Sequence, residues 1–138
     1  MKRNPVSTIM TKDVITVNSQ DELETAEHLF KTKHIRHIPV VSGEKIIGML
    51  SYTDLLRISF ADAVDEDEAE VDSIVYNMFT IEQVMAKNLI SVNSETTIKE
   101  VAEILSKREF HAIPVIDDEK LVGIVTTTDL INYLLDQY

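Results

Sequence analysis

"GMLSYTDLL" (Gly48–Leu56) and "GIVTTTDLI" (Gly123–Ile131) read alike: a Gly, two apolar residues, a hydroxyl, any residue, then Thr-Asp and two more apolar residues. Sliding the chain by 75 residues aligns Met10–Phe60 with Met85–Leu135 without a gap. Identities include Met10/Met85, Val17-Asn18-Ser19 with Val92-Asn93-Ser94, Ile38-Pro39-Val40 with Ile113-Pro114-Val115, and Glu44-Lys45 with Glu119-Lys120. Two of the three prolines and two of the three glycines fall at matched positions. Those residue types are tied to particular backbone geometries, so their matching argues for one backbone used twice. A unit of roughly 50 residues is marginal alone and is expected to bury its apolar face against its twin.

The periods within a unit are legible. "VITV" (Val14–Val17) and "LISV" (Leu89–Val92) are short β-branched or apolar runs and predict strands. Ser19 with Glu22 has capping-box spacing before a helix whose apolar positions are Leu23, Ala26, Leu29 and Phe30. Its second copy runs Ile98, Val101, Ala102 and Leu105, and cationic Lys31, Lys33, Lys107 and Arg108 suit the C-terminal ends of the two helices. "HIPVV" or "AIPVI", a turn ("SGEK" or "DDEK") and "IIGML" or "LVGIV" then read as a hairpin, with Pro at an edge or strand start. A last helix starts near Thr53 or Thr128. The expectation is an α/β (α+β) fold of two β-α-β-β-α repeats: residues 5–60, an acidic linker over 61–79, and residues 80–138. Ahead of each repeat, Asn4-Pro5 and Thr80 with Gln83 look like starts of a short helix holding Met10 or Met85.

Composition excludes several function classes. No cysteine is present, so disulfides, thiolate nucleophiles and Cys-ligated zinc are ruled out. The net charge of −11 opposes a nucleic-acid partner, which needs clustered Lys and Arg. Seven of the acids lie in "ADAVDEDEAEVD" (Ala61–Asp72), which lacks calcium-loop spacing and reads as a solvated helical extension or linker. No apolar run has signal-peptide or membrane-spanning length, so a soluble cytoplasmic protein without a membrane partner is expected.

The repeated nonapeptide falls at a strand end, a turn and a helix start. Ser51 with Asp54, and Thr126 with Asp129, have the spacing of an ordinary helix N-cap. A ligand is the other explanation. Gly would let the backbone approach a flat ring, hydroxyls and N–H groups at a helix start would receive phosphate, and a carboxylate would accept hydrogen bonds from ribose hydroxyls. A cap alone leaves the matched Thr53/Thr128 and Gly48/Gly123 unaccounted for.

"IMTKDVITVNSQDELETAEHLFKTKHIRHIPVVSGEKIIGMLSYTDLL" (Ile9–Leu56), repeated as "VMAKNLISVNSETTIKEVAEILSKREFHAIPVIDDEKLVGIVTTTDLI" (Val84–Ile131), resembles a tandem pair of CBS domains, the family named after cystathionine β-synthase. The resemblance covers Pro5 to Leu135 and rests on the ordered set of motifs, present twice. It implies two copies about a pseudo-twofold axis, adenosine-type ligands in clefts between them, association into a flat homodimer, and regulation of a partner enzyme, channel or transporter. By position it implies that Asp54 and Asp129 hold ribose, and that Ser51, Thr53, Thr126 and Thr128 face ribose and phosphate. Thr16-Val17 and Ser91-Val92 would offer backbone to the adenine edge, with Ile38-Pro39 and Ile113-Pro114 as apolar walls. Arg36 and His37 match the place of basic phosphate contacts; the second copy departs there, reading His111 and Ala112. His28 and His34 receive no role.

The leading function is therefore a regulatory, energy-sensing module for AMP, ADP, ATP, S-adenosylmethionine or a related adenosyl compound, with no obligatory cofactor and no metal. A ligand-free dimerisation or protein-interaction module acting on a partner enzyme or transporter is the alternative. An enzyme is the weakest reading, because no nucleophile elbow, phosphate loop or metal-spaced cluster accompanies the Ser, His and Asp residues. The final helices carry more apolar residues (Leu55, Leu56 and Ile58; Leu130, Ile131, Leu134 and Leu135) than one buried stripe requires, which favours a homodimer.

Overall fold

A computed structural model of the chain describes residues 4–62 and 78–138. It is a mixed α+β structure with two small sheets. The acidic stretch lies outside the described residues beyond Ala61 and Asp62, which close a helix.

The first repeat comprises β1 (Val17–Asn18), α1 (Leu23–Lys33), β2 (His37–Ser42), β3 (Lys45–Ser51) and α2 (Tyr52–Asp62). A short α3 (Ile81–Val84) follows, then α4 (Ile98–Lys107), β4 (Ala112–Asp117), β5 (Lys120–Thr126) and α5 (Thr127–Asp136). The expected opening strands shrink. β1 keeps only two residues, paired parallel with β2 through Val17↔Val40, and its counterpart is a single parallel bridge, Val92↔Val115. Asparagine ends both. Asn18 Oδ1 accepts from the Gln20 N–H and Asn93 Oδ1 from those of Glu95 and Thr96, folding the chain into turns that stop the ladder.

The capping box expected at Ser19 and Glu22 is not made: Glu22 is the N-cap of α1, without a side-chain bond, and Asp21 closes the turn by accepting from Asn18 N–H. Thr97 caps α4 in the ordinary way, accepting from the Glu100 N–H. α1 ends on His34 in the left-handed region.

Both hairpins pair in the same register, with Ile38 opposite Leu50 and Ile113 opposite Val125, and both contain a bulge after Val40 or Val115. Their two-residue loops reach positive φ by different means. Gly43 does so in the first (φ 66°), whereas Asp118 and Glu119 both do in the second (φ 49° and 66°). The Ser94 hydroxyl and N–H bond the Asp117 carboxylate beside that loop and hold it below the usual carboxylate range. The prolines sit inside strands, not at their starts. The absent N–H costs nothing there, because Pro39 lies level with the chain just before β1, and Val92 takes only the Pro114 carbonyl.

The compact units do not follow the repeat order. One is residues 15–88; the other joins residues 1–14 to 89–138. The segment leading each repeat packs on the other repeat's sheet. Met49 exchanges both backbone hydrogen bonds with Ala86, at 3.0 and 2.9 Å, and Ile124 does the same with Thr11, at 3.0 and 2.8 Å. Ile81 and Met85 enter the core of Val17, Leu23, Phe30, Ile38, Val40, Leu50 and Leu55. Val6 enters that of Val101, Ile113, Val115 and Val125, with Met10 packed against it. Thr80 and Gln83 form the expected capping box, but Met85 is the residue after α3, and Met10 lies beyond a short 3₁₀ turn (Val6–Thr8).

This exchange explains the matched glycines. A methyl on Gly48 would overlap the Met85 sulfur and stand 3.0 Å from the Ala86 carbonyl oxygen. On Gly123 it would lie 2.6 Å from Met10 Sδ and 3.0 Å from the Thr11 oxygen. The Gly that looked like room for a ligand ring is room for the lead segment. Gly48→Ala is expected to destabilise by about 1–3 kcal/mol, as overpacking does. In a double-mutant cycle by denaturant unfolding, Met85→Ala should relieve part of that cost; strictly additive penalties would show that the sulfur does not set the glycine.

Candidate functional site

In each unit the repeated motif places a hydroxyl at the end of a strand and a carboxylate three residues into the following helix. Ser51 ends β3 opposite His37, and its Oγ accepts from the Asp54 N–H at 3.1 Å. Thr126 ends β5 opposite Ala112, and its Oγ1 accepts from the Asp129 N–H, also at 3.1 Å. The first N–H of each helix is also used: Tyr52 donates to the Arg36 carbonyl and Thr127 to that of His111, each at 2.9 Å. At each helix start, two of the N–H groups expected to receive phosphate are thus committed to the fold.

The carboxylates differ in their partners. Asp129 Oδ2 accepts from the Thr126 N–H at 2.9 Å, completing a capping box and leaving Oδ1 outside it. Asp54 is instead paired through Oδ1 with Arg57 Nη1, at 3.4 Å. Position 57 corresponds to Asn132 in the second copy, so the ion pair has no equivalent there. Sequence reading assigned Arg57 nothing, although an acid and a base three apart on a helix are neighbours and would have revealed it.

Around these pairs the sequence-predicted residues separate into two groups. Thr16, Ser91, Arg36, His111, Thr53 and Thr128 are exposed, and His37, Ser51, Asp54, Val92, Thr126 and Asp129 are half-buried. Val17, Ile38, Pro39, Ala112, Ile113 and Pro114 are buried, and Ile38 and Ile113 are core members with no exposed surface. Ile38 and Ile113 therefore support the strands that carry the polar residues instead of presenting a wall. His111 lies over the start of α5, its Nδ1 3.5 Å from the Thr127 hydroxyl. Among the described residues no cluster of three His, Asp or Glu could hold a metal ion, and no helix is long and apolar enough to cross a membrane.

The Thr126 cap and the Asp54 ion pair should respond unequally to mutation. Thr126→Ala is expected to lower stability by about 1 kcal/mol, the usual value of a cap. Asp54→Ala removes an exposed ion pair, with the Arg57 side chain 75% exposed, and should cost about 0.5 kcal/mol or less. Equal losses on chemical denaturation would contradict the difference in bonding.

The family model for the CBS domain matches the chain twice, over residues 6–61 and 81–136. Protein MJ1225 of Methanocaldococcus jannaschii is 29% identical over 131 residues, which are 94% of this chain and 42% of that protein. The inosine-5′-monophosphate dehydrogenase of Thermoplasma acidophilum is 28% identical over 126 residues, 91% of this chain and 22% of the enzyme. The chain thus spans less than half the length of these curated relatives. Among solved structures, the CBS domain pair of protein MJ0100, in complex with 5′-methylthioadenosine and S-adenosyl-L-methionine, superposes with a TM-score of 0.75 at 27% identity, covering 95% of this chain and 99% of that one.

Proposed function

The chain belongs to the CBS domain family, carrying two copies of the domain, and from that premise we propose that it is a regulatory module that binds adenosine-containing small molecules. The observation that carries this reading is shared by both helix starts: a strand-end hydroxyl accepts from the backbone N–H of an Asp whose half-buried carboxylate keeps lone pairs for further donors. The MJ0100 pair, 27% identical to this chain, supports the ligand class through the two adenosyl compounds it is in complex with. Asp54 and Asp129 would accept from ribose hydroxyls, the Thr16 and Ser91 segments would meet the base, and Thr53 and Thr128 would face the 5′ substituent. These groups recognise; they are not arranged to break bonds.

Thermal shift with AMP, ADP, ATP, S-adenosylmethionine and 5′-methylthioadenosine is the first test, because a ligand at about 100 times its Kd adds about 2.7 kcal/mol of apparent stability. Asp54→Ala and Asp129→Asn are expected to weaken the ligand roughly ten- to a hundredfold by calorimetry, the value of a hydrogen bond to a charged group. The Asn variant keeps an acceptor for the Thr126 N–H, so its fold should survive. Unchanged affinity with a lowered melting temperature would leave these acids as structural groups only, and the module as a ligand-free interaction domain.

A homodimer is part of the proposal. On α5, Ile131, Leu134 and Leu135 are 51%, 55% and 63% exposed. Adjacent turns thus present apolar surface of the kind that marks interfaces. Light scattering should give twice the 15.7 kDa chain mass, and Leu134→Glu with Leu135→Glu should give the monomer. A wild-type monomer at micromolar concentration would overturn this.

A further inference from the structure

We propose that the two adenosyl sites are electrostatically opposite, and that Arg57 makes the site of the 15–88 unit selective for a phosphate-bearing ligand while the other takes a neutral or cationic one. The inference rests on the adenosyl-binding reading above and names the ligand charge at each site.

Three strands of observation converge. Arg57 Nη1 stands 3.4 Å from Asp54, so a full cation is held beside the carboxylate proposed to meet ribose, one helical turn from the Thr53 hydroxyl; Asn132 occupies its place in the second copy. Arg36, whose carbonyl holds the first N–H of α2, becomes His111, whose carbonyl does the same for α5. The chain entering the first site reads Lys33-His34-Ile35-Arg36-His37, and that entering the second reads Arg108-Glu109-Phe110-His111-Ala112. Every charge-bearing difference among these matched positions runs the same way. Counted over these positions with histidines neutral, Lys33, Arg36, Arg57 and Asp54 sum to +2, whereas Arg108, Glu109 and Asp129 sum to −1.

The chain as a whole is strongly acidic, so a dianionic phosphate meets an unfavourable field that only local cations offset. The guanidinium is suited to this, presenting its donors as a planar fork that phosphate oxygens match. At the second site the uncompensated acids repel phosphate and favour a sulfonium or ammonium group. Asp54 gives up little in the exchange, since its exposed pair with Arg57 is weak and Oδ2 lies outside it.

The test uses the full chain and three probes with a common adenosine: AMP (anionic), 5′-methylthioadenosine (neutral) and S-adenosylmethionine (cationic). Calorimetry should resolve one AMP-preferring and one AMP-poor site. Arg57→Asn should weaken AMP at the first site about two- to fivefold, the range of an exposed charge pair. It should leave 5′-methylthioadenosine unchanged, and the AMP loss should shrink in high salt. Asn132→Arg should strengthen AMP at the second site by a similar factor and weaken S-adenosylmethionine. If Arg57→Asn weakens all three probes alike, Arg57 supports the helix start and does not select charge. Two equal AMP sites unmoved by either substitution would also overturn the inference, while the adenosyl reading stands. If none of the probes binds the wild type, both fall together.

Discussion

Met85 lies against Gly48, and Met10 against Gly123, because an α-hydrogen leaves space that any side chain would fill. That close approach lets the backbone of the lead segment exchange paired hydrogen bonds with β3 or β5. Those bonds seat Ile81 or Val6 in the core of the sheet they join. Each hairpin edge is thereby covered, which a small sheet needs if it is not to pair with another chain. The rest of each unit follows from this placement: the sheet is closed on one side, the helices pack over it, and the strand end points its hydroxyl into the start of the last helix.

The sequence disclosed the fold through periodicity and repetition, signals carried by many residues at once. Two hairpins, their flanking helices and the lead segments were all legible, and the matched Gly and Pro residues announced that both copies share a backbone. What escaped was decided by single contacts. The opening strands look four residues long in "VITV" and "LISV", yet only the last residue of each run pairs with the sheet, and the following Asn turns the chain by accepting from the N–H two residues on. Pro39 reads as an edge residue, and only the brevity of β1 explains why it tolerates a position between two strands. The exchange of lead segments leaves no mark at all in a repeat alignment, because both copies exchange alike.

For the candidate site the residue types were legible and their competing bonds were not. The spacing of Thr126 and Asp129 fits a cap and a ligand contact equally well, and the bonding shows the cap. The two roles are compatible. A carboxylate already oriented by its own helix start loses little freedom when further donors arrive, which is the pre-organisation that recognition sites gain from a rigid support. Asp54 is paired with Arg57 instead, with a different local charge as the result.

The exchange of lead segments also sets an order of events as the chain is made. Residues 15–88 are contiguous, so every group in that unit's core has been synthesised by the time Asn88 has been added. Residues 4–11 leave the ribosome before that unit, yet the strand they pair with, β5, is translated after it. At ordinary translation rates of about 5–20 residues per second, Val6 and Met10 wait on the order of 10 s for a partner. During that interval the contiguous unit can form, and the N-terminal segment then closes the second unit over a span of more than a hundred residues. That long loop closure makes the discontinuous unit the slower to fold, and removal of residues 4–11 would take Val6 and Met10 from it while leaving residues 15–88 whole.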